Sequence, residues 1–365
     1  MTSDWLSRPV GRLALSASCF ALAAACVGEA PAPAVIAEAL PTWTFDSTMV
    51  FPADRSLMRA EDGVMLSGGR LLVVDQAAGL RLVEADGTSR PFGDLPGAGY
   101  MHHPPEHPGG ANGISLEPGG THALVADVFG AAIYRVDVSS GATEKVYQHT
   151  YGINSAVRDS KGTIWFTQSA HNTPEDGEGR MWATVDRPAP EGALLRLPMV
   201  DGKLAAAAEL VVDSLLFGNG VAIDEANGKL YVAETVGGRV LRYDVDLATG
   251  ALSGRTVFVD SVGADNLELD GEGHLWVALP LSNEILVVNT ATETRHVAFT
   301  SQTPAQAEML AEFMRRGAAG EPRVGMISPA LWSPLPGPPT GVILGGPGDP
   351  VYLTGLGNAL VRLPR

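Results

Sequence analysis

At 365 residues, with 45% apolar and 18% charged side chains, the chain can bury a large core, which excludes the disordered and fibrous classes. A formal charge of −16 argues against nucleic acid or an anionic membrane surface as the main partner and suits a cationic ligand such as a divalent metal. With 43 glycines and 26 prolines, the composition favours many turns over long helices.

Residues 1–26 read as an export signal, because Arg8 and Arg12 precede an apolar, small-residue run from Leu13 to Ala25 that is short for a membrane span. Cys26 follows Leu22-Ala23-Ala24-Ala25, which is similar to a bacterial lipoprotein cleavage box with Ala23 where a Leu is usual. Two outcomes stay open, a lipid anchor at Cys26 or release into the periplasm, and both put the protein outside the cytoplasm. Cys19 and Cys26 are the chain's two cysteines, so the mature domain offers no disulfide or thiol chemistry. Residues 27–41, VGEAPAPAVIAEALP, read as a linker rich in Ala and Pro.

Residues 42–365 are expected to form one domain. Paired strand-like runs recur as LLVVDQAAGLRLVEADG from Leu71, ALVADVFGAAIYRVDVSSG from Ala123, and a split copy, IWFTQS from Ile164 with GALLRLP from Gly192. They continue as LYVAETVGGRVLRYDVDLATG from Leu230, LWVALPLSNEILVVNTATE from Leu275 and VYLTGLGNALVRLPR from Val351. Each predicts a hairpin, and six such units predict an all-β, six-bladed β-propeller, since a lone hairpin cannot cover its faces and edges. The stretch TWTFDSTMVF, Thr42 to Phe51, is expected to pair with the C-terminal strands and close the ring. Insertions fall near 168–191 and 302–340. PAQAEMLAEFMRR, Pro304 to Arg316, has the best helical pattern, and both insertions suit either surface decoration or a lid.

Polar residues recur at one phase of these units. Counting back 13 to 15 residues from Asp75, Asp127, Gln168, Glu234, Leu279 and Gly355 reaches Glu61, Asn112, Asn154, Asn219, the Asp265-Asn266 pair and Gly341. Asn or Asp before Gly is also a common turn residue, which is the plain reading of any one of these sites. In a propeller, however, equivalent phases converge at one mouth of the axial channel. Glu61, Asn154, Asn219, Asp265 and Asn266 offer only oxygen donors, a set that suits Ca²⁺ first and Mg²⁺ second.

NGVAIDEANGKLYVAET from Asn219 and ADNLELDGEGHLWVA from Ala264 carry a resemblance to the SMP-30/gluconolactonase/LRE-like superfamily of six-bladed propellers. That superfamily also holds paraoxonase-type lactonases, diisopropylfluorophosphatase-like phosphotriesterases and strictosidine-synthase-like proteins. The resemblance runs from about Glu61 to the C-terminus and implies calcium in the central channel, at Glu61, Asn154, Asn219, Asp265 and Asn266. Asn112 matches a site-facing position that is His in the paraoxonase branch, so a histidine-dyad mechanism is not implied here. Asp62 resembles a ligand of a second calcium in that branch, but Ser155 stands where its Asp partner is expected.

The chain has no GxSxG elbow and no cysteine outside the leader, which leaves metal-assisted hydrolysis, and the resemblance implies a small-molecule lactone or ester as the substrate. Asp265 is expected as general base, with ligand or nucleophile as its other roles, and Asn112 is expected to orient the substrate or the ion. His102, His103 and His107 in MHHPPEHPGG, together with His171 and Trp182 in the first insertion, are candidate substrate contacts. Two other functions stay open: a calcium-stabilised binding module without turnover, and an organophosphate or aryl-ester hydrolase.

Overall fold

In the computed structural model, residues 40–261 and 263–364 are described, and the export-signal and linker readings, Cys26 included, fall almost wholly outside them. Six sheets built from consecutive antiparallel strands form a six-bladed β-propeller. Blade 1 comprises residues 63–91, blade 2 residues 111–148, blade 3 residues 153–215, blade 4 residues 218–260, blade 5 residues 267–300 and blade 6 residues 339–363. Among the described residues no helix is long and apolar enough to cross a membrane.

Apolar alternation along the strands sends large side chains between neighbouring blades, and those layers are the core. Leu72, Val74, Leu80 and Leu82 of blade 1 pack with Ile114, Val125 and Tyr134 of blade 2. Tyr231 and Trp276 also belong to this interblade core and are 0% and 1% exposed. Trp276 donates from Nε1 to Asp270 at 3.0 Å, and Trp165 donates likewise to Asp159 at 2.9 Å. The two sequences, DSKGTIW and DGEGHLW, are thus one device, in which a turn carboxylate also satisfies a buried indole.

Ring closure divides the expected N-terminal strand in two. Val50–Phe51 pairs antiparallel with Leu360 and Val361 of blade 6, so the two ends of the described domain meet in one sheet. Trp43–Thr44 instead runs parallel to Phe299 and Thr300, as a fifth strand of blade 5.

Both insertions carry helices. Helix α1, Gly177–Asp186, lies between the second and third strands of blade 3, and helix α2, Pro304–Ala319, lies between blades 5 and 6. Thr303 and Gln306 form a reciprocal capping box at the start of α2, and Gly320 ends it with φ of 68°. Met181 and Val185 of α1, Phe313 of α2 and Phe217, just before blade 4, share one apolar cluster. The insertions therefore dock on each other and on the propeller.

Candidate functional site

The innermost strands begin at the axis. Ala111, Ile153, Gly218 and Pro339 pair with Asp127, Gln168, Glu234 and Gly355, and each inner strand then shifts register within the next three residues. Such a bulge re-aims the side chain that it contains. The residues so placed are Asn112, Asn154, Asn219 and Thr340, joined by Glu61 and Asp265, which stand two residues before the inner strands of blades 1 and 5. One sequence expectation is corrected here: Thr340, not Gly341, holds the sixth place, since it follows the Pro339–Gly355 pair as Asn112 follows Ala111–Asp127 and Asn219 follows Gly218–Glu234.

The glycines beside these residues explain the recurring Asn-Gly pair. A Cβ on Gly220 would lie 2.7 Å from Leu267 N and 2.8 Å from Asp265 O, and one on Gly113 would lie 2.8 Å from Ser155 Cα. Asn faces the channel while Gly admits the backbone of the next blade.

Six side chains, Glu61, Asn112, Asn154, Asn219, Asp265 and Thr340, form the floor of a cavity of about 470 Å³. Four of its oxygens, Glu61 Oε2, Asn154 Oδ1, Asn219 Oδ1 and Asp265 Oδ1, are buried and have no hydrogen-bond partner. The two amide nitrogens and Glu61 Oε1, by contrast, are held. Asn154 Nδ2 donates at 3.0 Å to Ser169 Oγ, which donates at 2.7 Å to Gly218 O. Asn219 Nδ2 donates at 3.1 Å to Thr235 Oγ1, which donates at 2.7 Å to Ala264 O. These relays fix which amide atom faces the cavity.

Unpartnered buried oxygens are costly, and here they come from separate blades and converge on one cavity. Two carboxylates and two carboxamides suit a hard divalent cation, so the residues present fit Ca²⁺, and Mg²⁺ less well because it favours a smaller octahedral shell with retained water. Burial pushes the Glu61 carboxyl up to about 7 against the pull of Arg59. Burial and then the Glu61 charge raise Asp265 well above the usual carboxylate range.

The other expected site residues divide. Asn266 stands one place after Asp265 and does not line the cavity; its Nδ2 donates to Glu61 Oε1 at 3.1 Å, while its own Oδ1 is buried without a partner. Asp62 faces away from the cavity and accepts from Gly63 N and Ile114 N, both within 2.9 Å. Trp182 lines the cavity. His102, His103, His107 and His171 are not among the residues that line it. His102 is tied to Pro108 O at 2.8 Å, His103 and His107 bridge through their backbones, and His171 stacks on Tyr151 at 4.5 Å.

Sequence reasoning missed Arg59, Ser169 and Thr235. Arg59 lines the cavity beside the floor and donates to Ala111 O at 3.2 Å and to Asn112 Oδ1 at 2.8 Å. A signal for the two hydroxyls did exist: each directly follows the residue used to count the phase, Gln168 or Glu234, in the blades whose Asn oxygen is unpartnered. At the same place blade 2 has Val128, and there Arg59 holds the Asn instead.

Residues 141–307 match the family model described as SMP-30/gluconolactonase/LRE-like region. The match covers less than half of the chain. The match includes Asn154, Asn219 and Asp265 and leaves Glu61 and Asn112 outside it. Among solved structures, a gluconolactonase from Xanthomonas campestris superposes with a TM-score of 0.56 at 18% identity, covering 85% of this chain and 87% of that one. A luciferin-regenerating enzyme gives 0.56 at 16% identity, over 87% of this chain and 95% of that one. A calcium-binding regucalcin from Agrobacterium tumefaciens gives 0.53 at 15% identity, over 86% of each chain. At these identities the likeness is one of fold. No curated protein matches the chain.

Proposed function

We propose that this protein is a calcium-dependent hydrolase of small-molecule lactones or esters. The observation that carries the reading is the set of four unpartnered oxygens, on Glu61, Asn154, Asn219 and Asp265, at the floor of a cavity large enough for a small ligand. The matched family region and the gluconolactonase-like fold support the same reaction class.

Glu61, Asn154, Asn219 and Asp265 would hold the ion, which when bound supplies Lewis-acid polarisation of the scissile carbonyl. Ser169 and Thr235 keep the two amide oxygens turned inward. Asn266 keeps Glu61 in place from outside the cavity. The Arg59 guanidinium stands at the edge of the floor, positioned by Ala111 O and Asn112 Oδ1, and adds positive charge where the substrate oxygen gains negative charge. Asp265 accepts a proton from the attacking water as general base. Met181 and Trp182 of α1 and Phe313 of α2 add apolar walls to the cavity.

The test is proton release from aliphatic and sugar lactones and from paraoxon, using protein stripped of divalent ions and then given Ca²⁺. Turnover restored by calcium and lowered at least about a hundredfold by Asp265→Asn or Arg59→Met is the expected result. Tight calcium binding with no turnover would replace the hydrolase by a binding propeller, and absence of calcium binding would remove the metal centre.

The export reading of residues 1–26 stands as a proposal beside this one. Mass measurement of the protein from a membrane fraction and from a soluble fraction of a bacterial host distinguishes a lipid-modified Cys26 from simple cleavage.

A further inference from the structure

The cavity is polar at its floor and apolar above it. Trp182 and Met181 from α1, Phe313 from α2, Leu331 from the segment after α2, and Phe217 and Leu281 from the blade loops make up much of the wall. Met181, Phe217 and Phe313 belong to one buried cluster against which Trp182 and Leu281 pack, so the wall is formed before any ligand enters.

Hydrogen-bonding capacity on that wall is small. Thr235 Oγ1 already accepts from Asn219 and donates to Ala264 O. Arg323 donates from Nε to Val185 O at 2.7 Å and lies over the Phe313 ring at 4.5 Å, which ties the two insertions together. Ser261 Oγ, beside Asp260, is buried and unpartnered, so that pair and the Arg323 guanidinium are the polar points of a wall that is otherwise mainly apolar. A sugar lactone has a hydroxyl on almost every carbon, and each hydroxyl buried against this wall loses water without gaining a partner. An alkyl or aryl group entering the same space leaves water for an apolar surface.

We propose that the substrate is a lactone or ester carrying an alkyl or aryl substituent that fills the space between the two insertions, and not a polyhydroxylated sugar lactone. The inference rests on the hydrolase reading for the placement of the carbonyl at the floor; the preference of the wall stands independently of turnover. About 470 Å³ accommodates more than a bare lactone ring.

Two measurements on the calcium-loaded protein keep the two readings apart. The first is kcat/KM for γ-butyrolactone, its alkyl-substituted homologues of increasing chain length, and glucono-δ-lactone. We expect a rise of about three- to fourfold for each methylene until the cavity is full, with glucono-δ-lactone the poorest. The second is calorimetric binding of the corresponding alkyl lactams and of a polyhydroxylated lactam, none of which is hydrolysed. Affinity should rise with chain length and be flattened by Trp182→Gln and by Leu281→Gln, both at half-buried positions that tolerate replacement. Chain-dependent lactam binding without lactone turnover would remove the hydrolase reading and uphold the apolar specificity. Turnover that is best on glucono-δ-lactone, or lactam affinity indifferent to chain length, would overturn the apolar specificity and leave the hydrolase standing.

Discussion

Arg59 Nη2 donates to Asn112 Oδ1 at 2.8 Å, so the amide oxygen of blade 2 is engaged while those of Asn154 and Asn219 are not. Three asparagines at one phase of the fold therefore have two roles. Asn112 Nδ2 also donates to Asn154 O at 3.2 Å, which makes Asn112 a brace between the guanidinium and the neighbouring blade.

Calcium affinity should follow this division. Ser169→Ala and Thr235→Ala, which touch only the amide nitrogens, are expected to weaken calcium binding by about 10- to 100-fold. Asn112→Ala should change it by no more than a few-fold. Isothermal titration of ion-free protein reads both numbers, and an equal loss in all three variants would show that the oxygens of Asn154 and Asn219 do not reach the ion.

The pH dependence has a definite sign. Burial raises Glu61 from 4.5 to about 7, and Asp265 moves the same way. Between roughly those limits the folded, ion-free protein holds protons that the unfolded chain has released, so these groups contribute less stability as pH rises. A cation needs the ionised forms and offsets this loss. Urea unfolding in chelator and in calcium at pH 5 and pH 7.5 should show the larger calcium gain at pH 7.5, and Glu61→Gln should reduce the difference. A calcium gain that is the same at both pH values would argue against these carboxylates as ligands.

Gly220→Ala should disturb the floor through backbone alone. The added Cβ would press on Leu267 N and Asp265 O of the adjoining blade. We expect a loss of about 1–3 kcal/mol in stability together with weaker calcium binding. Gly271→Ala is the control, since a Cβ there meets open space; equal behaviour of the two variants would contradict the close approach.

Asp270, Glu272 and His274 cluster closely enough to suggest a second metal site. The Asp270 carboxylate, however, already accepts from Trp276 Nε1, His274 N and Glu272 N, all within 3.0 Å. Asp270→Ala is therefore expected to lower stability by about 1–3 kcal/mol, because the buried indole N–H loses its partner. Calcium titration should keep the same stoichiometry; loss of one bound ion would make the cluster a metal site after all.

Much of the architecture was legible in the chain. Six strand pairs with turn residues between them imply repeated sheets, and the common phase of Glu61, Asn112, Asn154, Asn219 and Asp265 implies an axial ring, because both patterns are local. Thr340 was not legible, since the spacing is 14 residues in blades 1 and 3 and 15 in blades 2 and 4, which does not choose between Gly341 and Thr340. The histidines of MHHPPEHPGG looked chemically suitable, but the loop ties His102 to Pro108 O and keeps its three histidines out of the cavity wall.

By itself, the sequence determined the propeller, the oxygen-only character of the ring and the places of the two insertions. Each of these depends on periodicity or on residue type, which neighbours along the chain fully express. Only the tertiary structure decided that Arg59 occupies the Asn112 oxygen and that α1 and α2 join in an apolar wall over the ring. Those features depend on contacts between blades and between insertions more than a hundred residues apart in the case of Val185 and Arg323. Closure of the ring sets such distances, and they leave no period in the chain to be read.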